Sequence, residues 1–247
     1  MDSARQALRS AVGAIAAQPG QILEGVYSSQ IDGFFDVENV VIYNLEPSTF
    51  RRSSSHGLRA RRCRASDAPA AQGFGHKLDY RLTPTPRIPA TPLVHLQFEL
   101  TAFRSVFDVW WAVANGIAVR SAPVPGRFGL YVELSCPTPP ANPATKMSIL
   151  FDGIVAALQR EDQPDQEAVK RLALRHGIDA HHIMTRLFQP ISDSITSSRS
   201  CQLVRPYRGG VQWHPADDLC EDCTLIVSEG SAICNAYVYA LPEVQLK

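Results

Sequence analysis

The sequence predicts an α+β fold, in which a mainly antiparallel, in part mixed, sheet is covered by about five helices around one principal core. Three observations predict it. Leu78, Tyr80 and Leu82 alternate with Lys77, Asp79 and Arg81; Val94, Leu96, Phe98 and Leu100 alternate with His95, Gln97 and Glu99; Phe128, Leu130, Val132 and Leu134 repeat the pattern. A period of two sets one row of side chains on a core and the other in water, the habit of antiparallel strands with one solvated face. Between these stretches lie segments whose apolar residues recur at three and four, as on one face of a helix. The 247 residues are 45% hydrophobic and 19% charged, enough apolar surface for a core and too much for a disordered chain.

In chain order, residues 3–17 read as a helix capped by Ser3, with Leu8, Ala11, Val12 and Ile15 on one face and Pro19-Gly20 as its stop. Ile22 to Tyr27 reads as a strand followed by an Asp32-Gly33 turn. The β-branched run from Val40 to Leu45 reads as a strand covered on both faces, with Leu58 to Ala65 as its partner. Helices are expected over 105–115, 148–160, 165–176 and 179–188, the last two divided by Gly177 and restarted by Asp179. Strands return near 201–207, 224–228 and 233–240, after a polar loop from Ser192 to Ser200. Proline-rich stretches at 84–92 and 137–145 exclude regular pairing. Because alternating strands flank both, they read as connections inside one domain spanning 1–247, and as the sub-boundaries if the chain divides.

Lys+Arg and Asp+Glu are both 24, so the formal net charge is zero, which argues against a surface that grips nucleic acid or anionic lipid all over. No run approaches the roughly 18 to 20 apolar residues of a membrane span, and the N-terminal stretch has the pattern of an amphipathic helix instead of a secretory signal. A cytoplasmic protein with six reduced cysteines is therefore expected. The phosphate loop, the dinucleotide-binding glycine fingerprint, His-Glu-x2-His and Gly-x-Ser-x-Gly are all absent from the sequence.

Three constellations carry candidate chemistry. Arg51, Arg52, Arg59, Arg61, Arg62 and Arg64 fall within fourteen residues with no acid between them. Guanidinium forks match phosphate oxygens, so an Arg-rich hairpin here would suit an accessory protein that binds phosphate, nucleic acid or an acidic protein partner. This is the first functional expectation. The bland reading is a solvated hairpin paired to nearby acids, such as Glu38 or Glu46. The second constellation is Asp152, Asp217 and Asp218, with Lys146 as a phosphate ligand. Hard carboxylate oxygens suit magnesium or manganese and would serve a metal-dependent nuclease or phosphodiesterase. The bland reading is a set of solvent-facing charges. The third is His214, Cys220 and Cys223, a softer set that suits zinc and ranks behind magnesium and manganese, since a single Cys-x2-Cys lacks a complete ligand set. The adjacent His181 and His182 diverge by about 100° on a helix and read as surface residues. A structural subunit that offers Trp110, Trp111 and the proline loops to a larger assembly is a further expectation.

Overall fold

The computed structural model describes residues 2–29, 36–64, 75–101, 103–124, 126–192 and 202–241. The elements run α1 (Asp2–Ala14), β1 (Gln21–Ser29), α2 (Val37–Tyr43), β2 (Gly57–Arg64), β3 (His76–Pro84), β4 (Val94–Glu99), α3 (Val106–Ala114), β5 (Ile117–Arg120), β6 (Phe128–Cys136), α4 (Ala144–Ala157), α5 (Gln166–His176), α6 (Ala180–Phe188), β7 (Val204–Tyr207), β8 (Gly210–Trp213), β9 (Cys220–Glu229) and β10 (Ile233–Ala240). Eight strands form one sheet in the order β3-β1-β2-β9-β6-β10-β4-β5, and β7 and β8 form a separate hairpin. The pairs β1/β2 and β6/β9 are parallel and the others in the large sheet antiparallel. The expected α+β architecture is therefore present, with six α-helices among the described residues and a single apolar core.

Local signals place the helix ends. Ser105 and Asp108 form a reciprocal capping box at the start of α3. Asp165 and Asp179 cap α5 and α6, and Gly177 closes α5 in the left-handed conformation, with φ 65°. The 84–92 stretch links β3 at one edge of the sheet to β4, six strand positions away, a span of about 29 Å at 4.8 Å per strand. Ten residue steps in polyproline geometry reach about 31 Å. The connection must run almost fully extended, and its prolines enforce that. It crosses the outer face, where the Tyr131 hydroxyl donates to the Pro86 carbonyl at 3.3 Å.

Three expectations fail. Val40 to Leu45 belongs mostly to α2, the crossover that two adjacent parallel strands require. Its buried residues, Val37, Glu38, Val41 and Ile42, recur at four, and Tyr43 is exposed. β2 pairs with β1 and β9, so residues 51–64 form a turn and then an interior strand, not two arms of a hairpin. Trp110 is also unable to meet a partner: it is 1% exposed and packs among Phe107, Trp111 and Trp213. The short strands β5 and β8 were not expected, and the Asp32-Gly33 turn and most of the 192–200 loop lie outside the described residues.

Gly25 sets the height of α2 above the sheet. A Cβ there would sit 2.4 Å from Cγ1 of the fully buried Val41, and the Tyr80 hydroxyl donates to the Val41 carbonyl from the next strand. Gly25→Ala is expected to lower unfolding free energy by about 1–3 kcal/mol through overpacking, despite alanine's better strand propensity. Urea denaturation measures this directly, and an unchanged midpoint would show that α2 has room to lift.

Candidate metal centre

Four carboxylates converge on the helix side of the sheet. Asp36 stands immediately before α2 and Glu38 in its first turn; Asp152 lies on α4; Asp217 opens a short 3-10 turn, Asp217–Leu219, that leads into β9. Carboxylate oxygens of Asp36, Glu38 and Asp217 all lie within 4.8 Å of one another. The side chains of Asp152 and Asp217 are hydrogen-bonded, and Ser148, one turn earlier on α4, bonds Asp152. Asp36 occupies the N-cap position of α2 without capping it; its Oδ2 accepts from Asn39 Nδ2 at 2.8 Å.

Burial is what makes this group unusual. Glu38 is 1% exposed and Asp217 8%. Among the described residues, no hydrogen-bond donor reaches Glu38 Oε1 or Asp152 Oδ1. Burial and then the charges of Asp152 and Asp36 push the Glu38 carboxyl well above its ordinary range. Burial, followed by the neighbouring acids, raises Asp152 and Asp217 as well, and their hydrogen bond needs a shared proton. The ions acting on these three groups are other carboxylates of the cluster. Such a site either keeps protons or takes a cation.

The structure thus brings together Asp152 and Asp217 from the expected acidic set. Asp218 is buried beside them, and its backbone N–H donates to Asp217 Oδ1 at 3.1 Å, but its side chain is outside the converging group. Lys146 is six residues, or about 240°, round α4 from Asp152. Its ammonium donates to the Phe103 carbonyl at 3.2 Å. His214 does not join Cys220 and Cys223 in a converging trio among the described residues. Cys223 Sγ instead lies 3.9 Å from Glu38 Oε2 and 3.1 Å from Cys220 Sγ. Reading the adjacent Val40–Leu45 run as a strand hides Asp36 and Glu38 as candidate ligands. The available signal was a carboxylate on the buried face of an otherwise apolar helix.

The arginines are divided by the strand period. Arg59 and Arg61 point to the outer face, away from α2 and the carboxylates. Arg59 makes a bidentate pair with Asp222 at 2.8 and 2.6 Å, and Arg59 and Arg61 both approach Glu24 at 3.5 Å. Arg62 projects to the helix side, where it and Arg127 meet Glu221, the residue after Cys220. Arg51 and Arg52 are exposed in the turn before β2, and the Arg64 side chain lies outside the described residues. His181 and His182 are exposed on α6, as expected.

No protein-family model matches this chain, and no curated protein or solved structure matches it either.

The raised carboxyls make a signed prediction. A carboxyl whose folded pKa lies above its unfolded value, about 4, leaves the folded state holding more protons, so stability falls as pH rises from there. The slope approaches about 1.4 kcal/mol per pH unit for each such proton. In chelator, wild type is expected to lose stability relative to Asp217→Asn between pH 5 and pH 8. Parallel pH profiles from chemical denaturation would mean that the cluster is hydrated and titrates normally.

Proposed function

We propose that the protein is a divalent-cation-dependent phosphodiester hydrolase whose Asp36, Glu38, Asp152 and Asp217 hold magnesium or manganese. The observation that carries the reading is the convergence of buried carboxylates from three separate segments, with acids as the charges acting on them. An all-oxygen set is the kind that hard cations take, and those cations serve phosphate chemistry. A cation at such a site supplies an activated water and neutralises charge developing on the phosphoryl and leaving oxygens. The chain's part is to aim the ligands. Ser148 orients Asp152, Asn39 orients Asp36, and Glu38 Oε1 and Asp152 Oδ1 are the oxygens left to coordinate. Arg127, 42% exposed and sharing Glu221 with the buried Arg62 side chain, is the cation on this side that an anionic substrate could reach. A polynucleotide backbone is the substrate class that this combination favours.

An arginine grip by residues 51–64 alone has less support. Arg59 and Arg61 are on the opposite face and their forks are engaged by acids, which leaves Arg51 and Arg52 as the exposed members of the described set.

The purified chain is expected to cleave single- or double-stranded polynucleotide with Mn2+ or Mg2+ and not with chelator. Asp217→Asn and Glu38→Gln should each reduce cleavage by at least about 100-fold, more than the roughly 10- to 100-fold typical of losing a residue that only orients a ligand. Arg59→Ala, on the other face, should leave it within a few-fold. Thermal melting should rise with saturating Mn2+ in wild type and not in Asp217→Asn. Cleavage that survives both ligand substitutions would remove these residues from the mechanism.

A further inference from the structure

The β7–β8 hairpin carries positive charge that nothing on it offsets. Residues 204–213 hold Arg205 and Arg208 and no acid, and on the adjoining α5 the lone acid, Glu167, is taken by Arg171 at 2.9 Å. Arg171 also ties the hairpin to the helix, since its Nη1 donates to the Arg208 and Gly210 carbonyls at 2.7 and 3.0 Å. In the hairpin register Tyr207 pairs with Gly210 and Arg205 with Gln212, so these four positions share one face. That face is the outward one: Arg205 is exposed, and Tyr207 is 47% exposed. Gly210 leaves the place beside Tyr207 without a side chain. A Cβ there would lie 3.8 Å from the Arg175 guanidinium and 3.9 Å from the Tyr207 carbonyl, so Arg175 comes up to the gap. Arg208 lies over the Tyr207 ring, 5.2 Å from its centroid, and holds φ at 49°, a region that favours glycine. Among the described residues no acid pairs with Arg175, Arg205 or Arg208.

We propose that this face is a grip for a single-stranded polynucleotide, with Arg175, Arg205 and Arg208 on its phosphates and one base stacked on the Tyr207 ring. The choice of polymer rests on the hydrolase reading, but the grip itself needs no catalysis. A chain of zero formal net charge has no general attraction for polyanions, so a concentration of unpaired cations sets where one lands. Guanidinium forks suit phosphate oxygens, an exposed aromatic ring suits an unpaired base, and single-strand grooves combine the two. The bases of a duplex are stacked on each other and offer Tyr207 no free face, which favours the unpaired strand. Leu174, 81% exposed, borders a hollow of about 430 Å3 between α5 and the turn, a volume in the range of small-ligand pockets, and the next sugar can lie there. The hairpin also leads straight to the carboxylates. Gly210, the first residue of β8, is seven residues from Asp217, at most about 25 Å of chain. A strand held on the hairpin therefore has only a few nucleotides to cross before it meets the cation site. Sequence preference is not expected, because every base has a face to stack.

The test follows binding of fluorescein-labelled oligo-deoxythymidine to the full chain by anisotropy, in chelator so that no cation-dependent cleavage intervenes. The probe is about 20 nucleotides long, more than the roughly 4–16 that one small single-strand-binding domain covers. Log affinity is expected to fall with log salt at a slope of about −2, from about 0.7 for each of three arginines. The double variant Arg175→Ala, Arg208→Ala should bind at least about tenfold more weakly and flatten the slope to about −0.7. Tyr207→Ala should weaken binding about 5- to 150-fold, the range of one lost base stack, and keep the slope. All three side chains are exposed, so these variants keep the fold. Asp217→Asn should bind as wild type does. Affinity that ignores salt, or a Tyr207→Ala variant that binds like wild type, overturns the proposal, and so does a duplex of the same length bound as tightly. Binding that depends on salt and on Tyr207 without Mn2+-dependent cleavage would sink the hydrolase and spare the grip. Mn2+-dependent cleavage by a chain whose binding the arginine and tyrosine substitutions leave unchanged does the reverse.

Discussion

Four carboxylates are held inside this protein against their mutual repulsion, and the remaining architecture is arranged to keep them there. Removing an ionised carboxylate from water carries an effective penalty of several kcal/mol even after relaxation. Glu38 and Asp217 stay buried, and Asp36 and Asp152 half-buried, because the elements that carry or adjoin them are themselves locked. Glu38 rides on α2, which is pressed onto Gly25 and tied to Tyr80; Asp152 is on α4, whose buried face includes Leu150, Phe151 and Ile154; Asp217 is delivered by a turn into β9, the strand between β2 and β6. The apolar core stabilises the fold enough to hold a strained electrostatic arrangement, a familiar relation between scaffold and functional site.

The sheet topology explains why the acids come from such distant parts of the chain. Parallel pairing of β1 with β2 demands a crossover, and that crossover is α2 with Asp36 and Glu38 at its start. Parallel pairing of β6 with β9 places α4 and the later helices in the intervening connection, so Asp152 and Asp217 approach from the other half. Both parallel pairs flank the β2/β9 contact. The carboxylates therefore gather over the one place where the two halves of the sheet are joined.

Much of this was legible in the sequence. The alternation in β3, β4 and β6 gave the strands, and capping residues gave α3, α5 and α6 to within a few positions. Asp152 and Asp217, whose carboxyls the fold does bring together, were readable as candidate hard-oxygen donors by chemistry alone. Asp36 and Glu38 were not, because Val40, Val41 and Ile42 carry strong strand propensity and α2 is only seven residues long, too short for its period to stand out. Tertiary context decided: the chain must cross over the sheet there, and a helix is how it does so. The arginine run misled for a related reason. Spacing along the sequence made it look like one cationic surface, whereas a strand sends successive side chains to opposite faces, where Glu24 and Asp222 meet the outward arginines and Glu221 meets Arg62 on the helix side.

The bulge in β9, where the register against β6 steps from Phe128↔Cys220 to Gly129↔Asp222, shows how a local irregularity can matter more than the regular element that contains it. Without the extra residue, Cys220 would point to the outer face, towards the ion pairs of Glu24, Arg59 and Asp222, and Cys223 would face the helix side alone. With it, the two thiols lie 3.1 Å apart on the side of the carboxylates, Cys223 against Glu38. Asp222, two residues beyond Cys220, keeps its outward direction and binds Arg59, so the same four-residue stretch, Cys220 to Cys223, supplies the interior with thiols and the exterior with a bidentate partner. A strand that must serve both faces at once cannot do so with strict alternation at this spacing, and the bulge is the smallest change that lets it.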